Sequence, residues 1–426
     1  MIQTPKVLNL MKIVLFKNTV ESQEFFSFEL AKCFKARGHE IFIYDCTDPI
    51  TSKKNLDKFV ETGNTVFLSF NFNGMINDPL LCEKNGKDPV YLKKTGIPII
   101  NIVVDHPYYY HKEFVNIPDR YIQISIDENH RDYMRRFFPE INADNIVYLG
   151  GTQLIPYESG EYEEGYVYKN AEKTDLVPFF ERTNDIIFCG NYMKPEYFEK
   201  YLKGCEKGVI DFYHEILNVL KEEPDRTLED VAIEKIREEF GDEADDPYIR
   251  DCLENMIFLD LQVRHFFRGT AVAAIADAGY RIRVYGAGYE DLSCRHPENI
   301  ENMGNVNSVT CLKALAQSRV SLNIMPWFKK GGHDRVYNTC LNGALCLSDT
   351  SEALCKEFSD GKDIVFYDLK TTQDTKDGIA AKYAYLYDHK NEMRDIAENG
   401  YENALKNHTW SSRALELEKI MLDALK

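Results

Sequence analysis

Gly331-Gly332-His333-Asp334-Arg335-Val336-Tyr337-Asn338, followed by Leu341-Asn342-Gly343-Ala344-Leu345-Cys346-Leu347, is the stretch on which the fold turns. The apolar run at 320–324 before it predicts a strand. The glycines predict a loop, Asp334 onward a helix, and 344–347 a second buried strand. Strand, loop, helix and strand in that order make the repeating unit of a parallel sheet covered on both faces. Two glycines allow a loop backbone to approach a ligand closely. The helix start supplies unpaired N–H groups and the positive end of a dipole, and Arg335 sits in its first turn. That combination suits a diphosphate.

Reading outward, the same alternation fills both halves of the chain. In the first half, strands are predicted at 12–16, 41–44, 66–70, 99–104, 121–126 and 146–149. A helix at 25–37, stopped by Gly38, joins the first two. In the second half, strands are predicted at 186–189, 281–285, 300–303, 320–324, 344–347 and 363–367, with a helix at 309–317. Residues 377–426 are helical apart from a break near 408–410. The expected architecture is α/β: two Rossmann-like, doubly wound domains facing across a cleft. The expected division is 11–155 for the first domain, 156–185 for a connection of irregular structure, and 186–408 for the second domain. The last stretch, 409–426, is a helix that crosses back to the first domain. Within the second domain, 221–247 carries twelve acidic and four basic residues. It reads as a solvated helical insertion, with a surface for a basic partner as the alternative.

A length of 426 residues suits two domains, and 44% hydrophobic residues suit a globular chain. The net charge of −18 argues against nucleic acid as a partner, because phosphate neutralisation needs clustered Lys and Arg. Eleven cysteines show no CxxC pair and no Cys/His ligand spacing, which points to reduced thiols and a cytoplasmic location. No segment has the length of an integral membrane span and no secretory signal is evident. Asp-x-Asp occurs nowhere, so the usual carboxylate pair for a nucleotide-bound divalent ion is missing and no metal ligand set is predicted.

In open parallel sheets ligands bind beyond the carboxyl ends of the strands, so the residues that follow each strand are the candidates. Asp105-His106 follows the strand at 99–104. Either group could deprotonate a hydroxyl; alternatively, Asp105 caps the next turn and His106 packs on the tyrosines after it. Asp127, before Glu128-Asn129-His130, is a weaker base candidate and a better helix cap. Gly190-Asn191 after the 186–189 strand lets a phosphate approach or makes a plain turn. Gly286-Ala287-Gly288 is half of a dinucleotide fingerprint and weak evidence. Met303-Gly304 offers backbone on which a nucleobase could pack. Gly331, Gly332 and Arg335 are the leading diphosphate candidates, with His333 beside them as a candidate for the donor's ribose, sugar or base. Asp349 opens an ordinary helix cap and could also lie beside a ribose.

Several of these residues carry a resemblance. Residues 335–349 are similar to the C-terminal signature of the CgeB-like (spore maturation protein type) glycosyltransferases, within the GT-B group. Glu357 to Tyr367, Phe188-Cys189-Gly190-Asn191 and Thr409-Trp410-Ser411-Ser412-Arg413 extend the match, which spans most of 186–426. The resemblance implies a hexosyltransferase-like enzyme with a nucleotide-sugar donor held by the second domain, a UDP-sugar being expected. The acceptor, held by the first domain, is a glycan, a protein or a small molecule. No cofactor and no metal at the phosphates are implied; Arg335 and the helix dipole would stabilise the leaving diphosphate. Many retaining members of the group carry Glu-x7-Glu here, whereas this chain has Lys330 and Asn338 at those spacings. Lys330 would then reach a phosphate and Asn338 a ribose or sugar hydroxyl, and the stereochemical outcome stays open. The rival readings are a nucleotide-sugar epimerase of the same fold and an inactive binding or scaffold protein.

Overall fold

The computed structural model describes residues 10–154, 176–326, 328–370 and 378–426. Its first sheet collects β1 (Lys12–Lys17), β2 (Glu40–Asp45), β3 (Thr65–Phe70), β4 (Ile99–Val103), β5 (Tyr121–Ser125) and β6 (Asn145–Ile146). Their spatial order is β2-β1-β3-β4-β5-β6, parallel throughout, with registers such as Phe67 opposite Ile99. The second sheet collects β7 (Asn184–Cys189), β8 (Ile282–Tyr285), β9 (Ile300–Asn302), β10 (Ser318–Asn323), β11 (Leu345–Ser348) and β12 (Val365–Phe366). It is ordered β12-β11-β10-β7-β8-β9 and is also parallel. β3, β4 and β11 are buried along their whole length, as continuous apolar runs between two helical layers require. Strand order reverses between β1 and β3 in one sheet and between β7 and β10 in the other. These are the switch points at which open sheets bind ligands.

The predicted 146–149 and 363–367 strands shrink to two residues each. β6 ends where the chain leaves for the other domain. β12 starts late because Asp363 folds back in a turn, its carboxylate accepting from the Ser359 N–H at 2.6 Å. Residues 156–175 of the predicted connection 156–185 lie outside the described residues. The last helix, Trp410–Leu425, is capped by Thr409 and packs on the first-domain helix Glu21–Ala36. Trp410 meets Phe26 at 5.2 Å between ring centres, and Glu418 pairs with Arg37 and lies 3.3 Å from His39.

The acidic stretch forms the helices Leu228–Phe240 and Asp246–Glu254. Only their outer faces are solvated; Val231, Ala232, Ile236, Ile249 and Leu253 are buried. The acidic side reaches the chain's own first domain. Glu229 lies 3.3 Å from His106, Asp246 pairs with Arg136 at 2.6 Å and Glu254 with Lys112 at 2.8 Å. Most acidic side chains of 221–247 are exposed, as a solvated helical insertion requires, while Glu229 and Asp246 face the first domain.

On the opposite side the domains are stitched by backbone. Asn342 receives the Leu154 N–H at 2.8 Å and donates to the Thr152 carbonyl at 2.9 Å, while Asn338 receives the Thr152 N–H at 2.8 Å. Asp127 receives the Lys330 N–H at 2.9 Å, and Gly331 forms a bridge with Asp127. A Cβ at Gly331 would run into the Ile126 carbonyl oxygen and come within 2.9 Å of the Asp127 carboxylate. Both obstacles are held by the β5 end, so neither can yield cheaply. Gly331→Ala is expected to destabilise the chain by about 1–3 kcal/mol, read as a lower thermal midpoint; an unchanged midpoint would contradict this account of the domain contact.

Candidate active site

The carboxyl ends of both sheets face one another across a cleft with two connected parts. The larger, about 550 Å³, lies beyond β7 and β8, between Cys189-Gly190-Asn191, Tyr285, the segment Asn305–Ser308 and the start of the first-domain helix at Glu21. The smaller, about 380 Å³, reaches the first domain at Asp105, His106 and His130. His333, Asp334 and Arg335 line both parts, at the start of the helix Asp334–Leu341. The mouth is spanned by Glu21, whose carboxylate accepts from the Ser308 N–H at 2.8 Å and its hydroxyl at 2.9 Å.

Three guanidinium groups converge at the junction. Arg335, almost fully buried, lies over the Phe188 ring at 5.4 Å, and its Nη2 is 3.1 Å from His333 Nε2. Its Nη1 is buried with no partner among the described residues. Arg268 donates from Nη1 to the Asn191 carbonyl at 2.8 Å, and its Nε is buried with no partner. Burial, and then the neighbouring Arg335 charge, push Arg268 down to about 9. Arg264 is paired with Asp260 at 3.2 Å, with its Nε also unpartnered. Buried donors without acceptors are costly, and adjacent buried like charges more so. The arrangement therefore favours an anion that supplies several oxygens at once.

Arg264, Arg268 and Asp260 were not among the sequence-derived candidates. All three stand on the helix Ile257–Asp277, spaced by four residues, on one face of an otherwise apolar segment. That spacing was the available signal, since charges four apart share a helix face.

Of the predicted donor residues, Gly190, Asn191, His333, Arg335 and Asn338 line the larger part of the cleft. Asn338 has prior commitments: its oxygen takes the Thr152 N–H, and its amide donates to Asp334 at 2.9 Å. Met303 and Gly304 lie outside the lining; Gly304 has a left-handed φ of 73° and its carbonyl receives the Gly286 N–H at 2.8 Å, so this is a turn. Gly331, Gly332 and Lys330 are also outside it. The close approach that the two glycines permit is to protein, Ile126 for one and the Tyr337 hydroxyl for the other. The Lys330 backbone N–H is bound to Asp127. Asp349 lines a separate hollow of about 280 Å³ with Lys329, and receives the Met325 N–H at 2.9 Å. Burial pushes Asp349 up to about 6 against the pull of Lys329.

The two predicted bases differ in what they have free. His106 Nδ1 accepts the Tyr108 N–H at 3.3 Å, and Nε2 faces Glu229 at 3.3 Å. Both ring nitrogens are thus directed at protein. The Asp105 carboxylate accepts from Asn71 at 3.0 Å and from the Tyr110 hydroxyl at 2.9 Å, both on Oδ2. Its Oδ1 has no such bond and the residue lines the cleft. Asp127 is buried, and its carboxylate caps the helix Glu128–Phe137 and holds Lys330; it does not line the cleft. His130 is fully buried beside His106, with both ring nitrogens unpartnered, and burial keeps it neutral well below the usual histidine value.

Residues 264–419 match the family model described as glycosyl transferase-like. This chain carries a glycosyl transferase-like domain. The matched span contains Arg264, Arg268, His333 and Arg335, the cationic side of the cleft. No curated protein matches the chain in sequence. Among solved structures, HepE from Anabaena, in complex with UDP and glucose, superimposes with a TM-score of 0.50 at 8% identity, covering 97% of this chain and 100% of that one. Sucrose-phosphate synthase from Thermosynechococcus elongatus follows at a TM-score of 0.46 and 9% identity, covering 96% and 98%. Two parallel six-stranded sheets facing across a cleft, with this match, are the GT-B fold, and the chain is an enzyme of glycosyltransferase type. Among the described residues no helix is long and apolar enough to cross a membrane, and no group of three or more His, Cys, Asp or Glu is arranged to hold a metal ion.

Proposed function

We propose that this GT-B enzyme, of CgeB-like type, transfers a sugar from a nucleoside diphosphate, UDP being preferred, to an acceptor hydroxyl without a metal at the phosphates. The observation that carries the proposal is the trio of converging guanidinium groups with unpartnered donors. In this reading Arg335 and Arg268 hold the diphosphate, and their charge stabilises the leaving group as it develops. Gly190-Asn191 and the segment Asn305–Ser308 flank the nucleoside in the larger part of the cleft. The HepE structure, which holds UDP, supports the choice of base. The acceptor enters the smaller part, and Asp105 takes its proton. A base placed there calls for direct displacement with inversion at the anomeric carbon.

The test is a thermal-shift panel of UDP, GDP, ADP, CDP and dTDP, each with Mg²⁺ and with a chelator. UDP is expected to raise the midpoint equally in both conditions, by an amount that grows with its concentration. A shift seen only with Mg²⁺ would overturn the metal-independent reading, and no shift with any nucleotide would overturn the donor site. Incubation with UDP-glucose alone separates transfer from epimerisation: the recovered sugar is expected to be unchanged in configuration at its other carbons.

A further inference from the structure

The smaller part of the cleft is lined by three polar side chains with unused hydrogen-bonding groups. Asp260 and Arg264 stand four residues apart on the helix Ile257–Asp277, and His130 stands on the first-domain helix Glu128–Phe137. Asp260 Oδ2 accepts from the Tyr109 hydroxyl and from Arg264 Nη2, the latter at 3.2 Å. Its Oδ1 is buried with no partner among the described residues, and so are Arg264 Nε and both ring nitrogens of His130. Asp260 is 1% exposed and His130 2%, so bulk water does not satisfy them. In the proposed transfer Arg335 and Arg268 hold the diphosphate and Asp105 takes the proton, which leaves these three groups without a task. Buried polar groups without partners lower stability, so a ligand that pairs them binds with a matching gain.

The unused atoms define what that ligand carries. Asp260 Oδ1 accepts and Arg264 Nε donates. Burial holds His130 well below the usual histidine value, so its ring is neutral and offers one donor and one acceptor. Hydroxyl groups serve all of these, because each both donates and accepts. One hydroxyl reacts at Asp105, and the rest call for more hydroxyls on the same molecule. Phe26, Ile126, Leu149 and Met325 give the same space an apolar wall, and the Phe328 ring stands 5.9 Å from that of His130. A molecule with hydroxyls around its edge and C–H groups on its faces matches both walls. Charge narrows the choice. Asp260 and Arg264 neutralise each other, and an anionic group beside them would meet Asp105 as a like charge.

We propose that Asp260, Arg264 and His130 form the subsite that reads the acceptor's hydroxyls, and that the acceptor is the uncharged pyranose end of a glycan or glycoside. The inference rests on the reading of the cleft as a transferase site. A serine or threonine side chain brings a single hydroxyl; it would satisfy Asp105 and leave the other three groups unpaired. A site that hydrogen-bonds hydroxyls discriminates strongly against molecules that lack them.

The experiment is saturation-transfer NMR on the full chain with UDP present. The probes are methyl glucoside, methyl galactoside and methyl mannoside, with cyclohexanol and N-acetylthreonine methylamide as single-hydroxyl controls. The ring protons of at least one glycoside are expected to receive saturation, and the controls to bind at least about 10²-fold more weakly. Two variants assign the contact. His130→Phe fills the place of the imidazole and removes two unpaired nitrogens. It is expected to melt no lower than the wild type and to weaken the glycoside at least about tenfold. Asp260→Asn keeps an oxygen for Tyr109 and Arg264 and puts an amide in place of Oδ1. A similar loss of glycoside binding is expected. Saturation of no glycoside, controls that bind equally well, or both variants binding the glycoside like the wild type would overturn the proposal. A clear fall in the His130→Phe midpoint would assign that ring to the fold and overturn its place in the subsite. Weaker UDP-glucose but unchanged glycoside binding in the variants would move the three groups to the donor sugar and also overturn it. The UDP thermal shift of the same samples separates the two levels. With that shift intact, a missing glycoside contact overturns the subsite alone; with both missing, the transferase reading of the cleft falls too.

Discussion

Replacing Arg335 with alanine is expected to lower turnover by about 10²–10³-fold and to abolish stabilisation by UDP. The reasoning starts from where this guanidinium sits. It is anchored over Phe188 and against His333, yet leaves Nη1 without an acceptor at the junction of the two parts of the cleft. A planar fork with one arm anchored and the other free is positioned to bind an oxyanion that gains charge as the glycosidic bond breaks. Arg335→Lys keeps the charge but loses the fork, so its loss is expected to be intermediate. A second readout separates this role from a structural one. Arg335 and Arg268 repel each other, which is part of why Arg268 is pushed down to about 9. Removing Arg335 relieves that repulsion, and the nucleotide-free variant is expected to melt no lower than the wild type. Turnover within twofold of the wild type, measured as UDP release from UDP-glucose with acceptor, would remove Arg335 from the diphosphate site. A large drop in the nucleotide-free midpoint would show instead that the side chain is needed for the fold.

The fold was legible because the strands are covered on both faces. Segments such as Val66 to Phe70 and Ile99 to Val103 must then be apolar without alternation, and the helices between them must stop at residues such as Gly38. Cys189-Gly190-Asn191 and the start of the Asp334–Leu341 helix, both within the resemblance, line the cleft. What was not legible depends on what lies across from a residue. A loop glycine looks the same whether its backbone approaches a phosphate or, as at Gly331, the Ile126 carbonyl of the other domain. Asp349 follows a strand just as Asp105 does, yet its carboxylate turns back to the Met325 N–H. The group opposite His106, Glu229, comes from an acidic helix far along the chain, while its packing on Tyr108 is local and was legible. Arg264 and Arg268 sit within a long, mostly apolar helix, and the rule that ligands bind beyond strand ends does not reach them. Charge counting along the acidic stretch likewise does not reveal that Arg136 stands opposite Asp246 and His106 opposite Glu229.

Asp105→Asn is expected to lower turnover by about 10²–10⁴-fold while leaving UDP binding unchanged. Asn71 and Tyr110 both donate to Oδ2 of Asp105, so an asparagine in this position directs its carbonyl oxygen toward them and its amide toward the cleft. The packing is kept, and the group facing the acceptor hydroxyl becomes a donor that cannot take a proton. His106→Gln is expected to cost less than about tenfold, because both imidazole nitrogens already face protein groups, the Tyr108 N–H and Glu229. Kinetics of both variants with the same donor and acceptor, together with the anomeric configuration of the product by NMR, decide the matter. An inverted product with the loss concentrated at Asp105 supports a carboxylate base. A retained configuration, or an Asp105→Asn enzyme as fast as the wild type, would remove Asp105 from the chemistry and leave the arginine trio to carry the reaction by stabilising the leaving diphosphate alone.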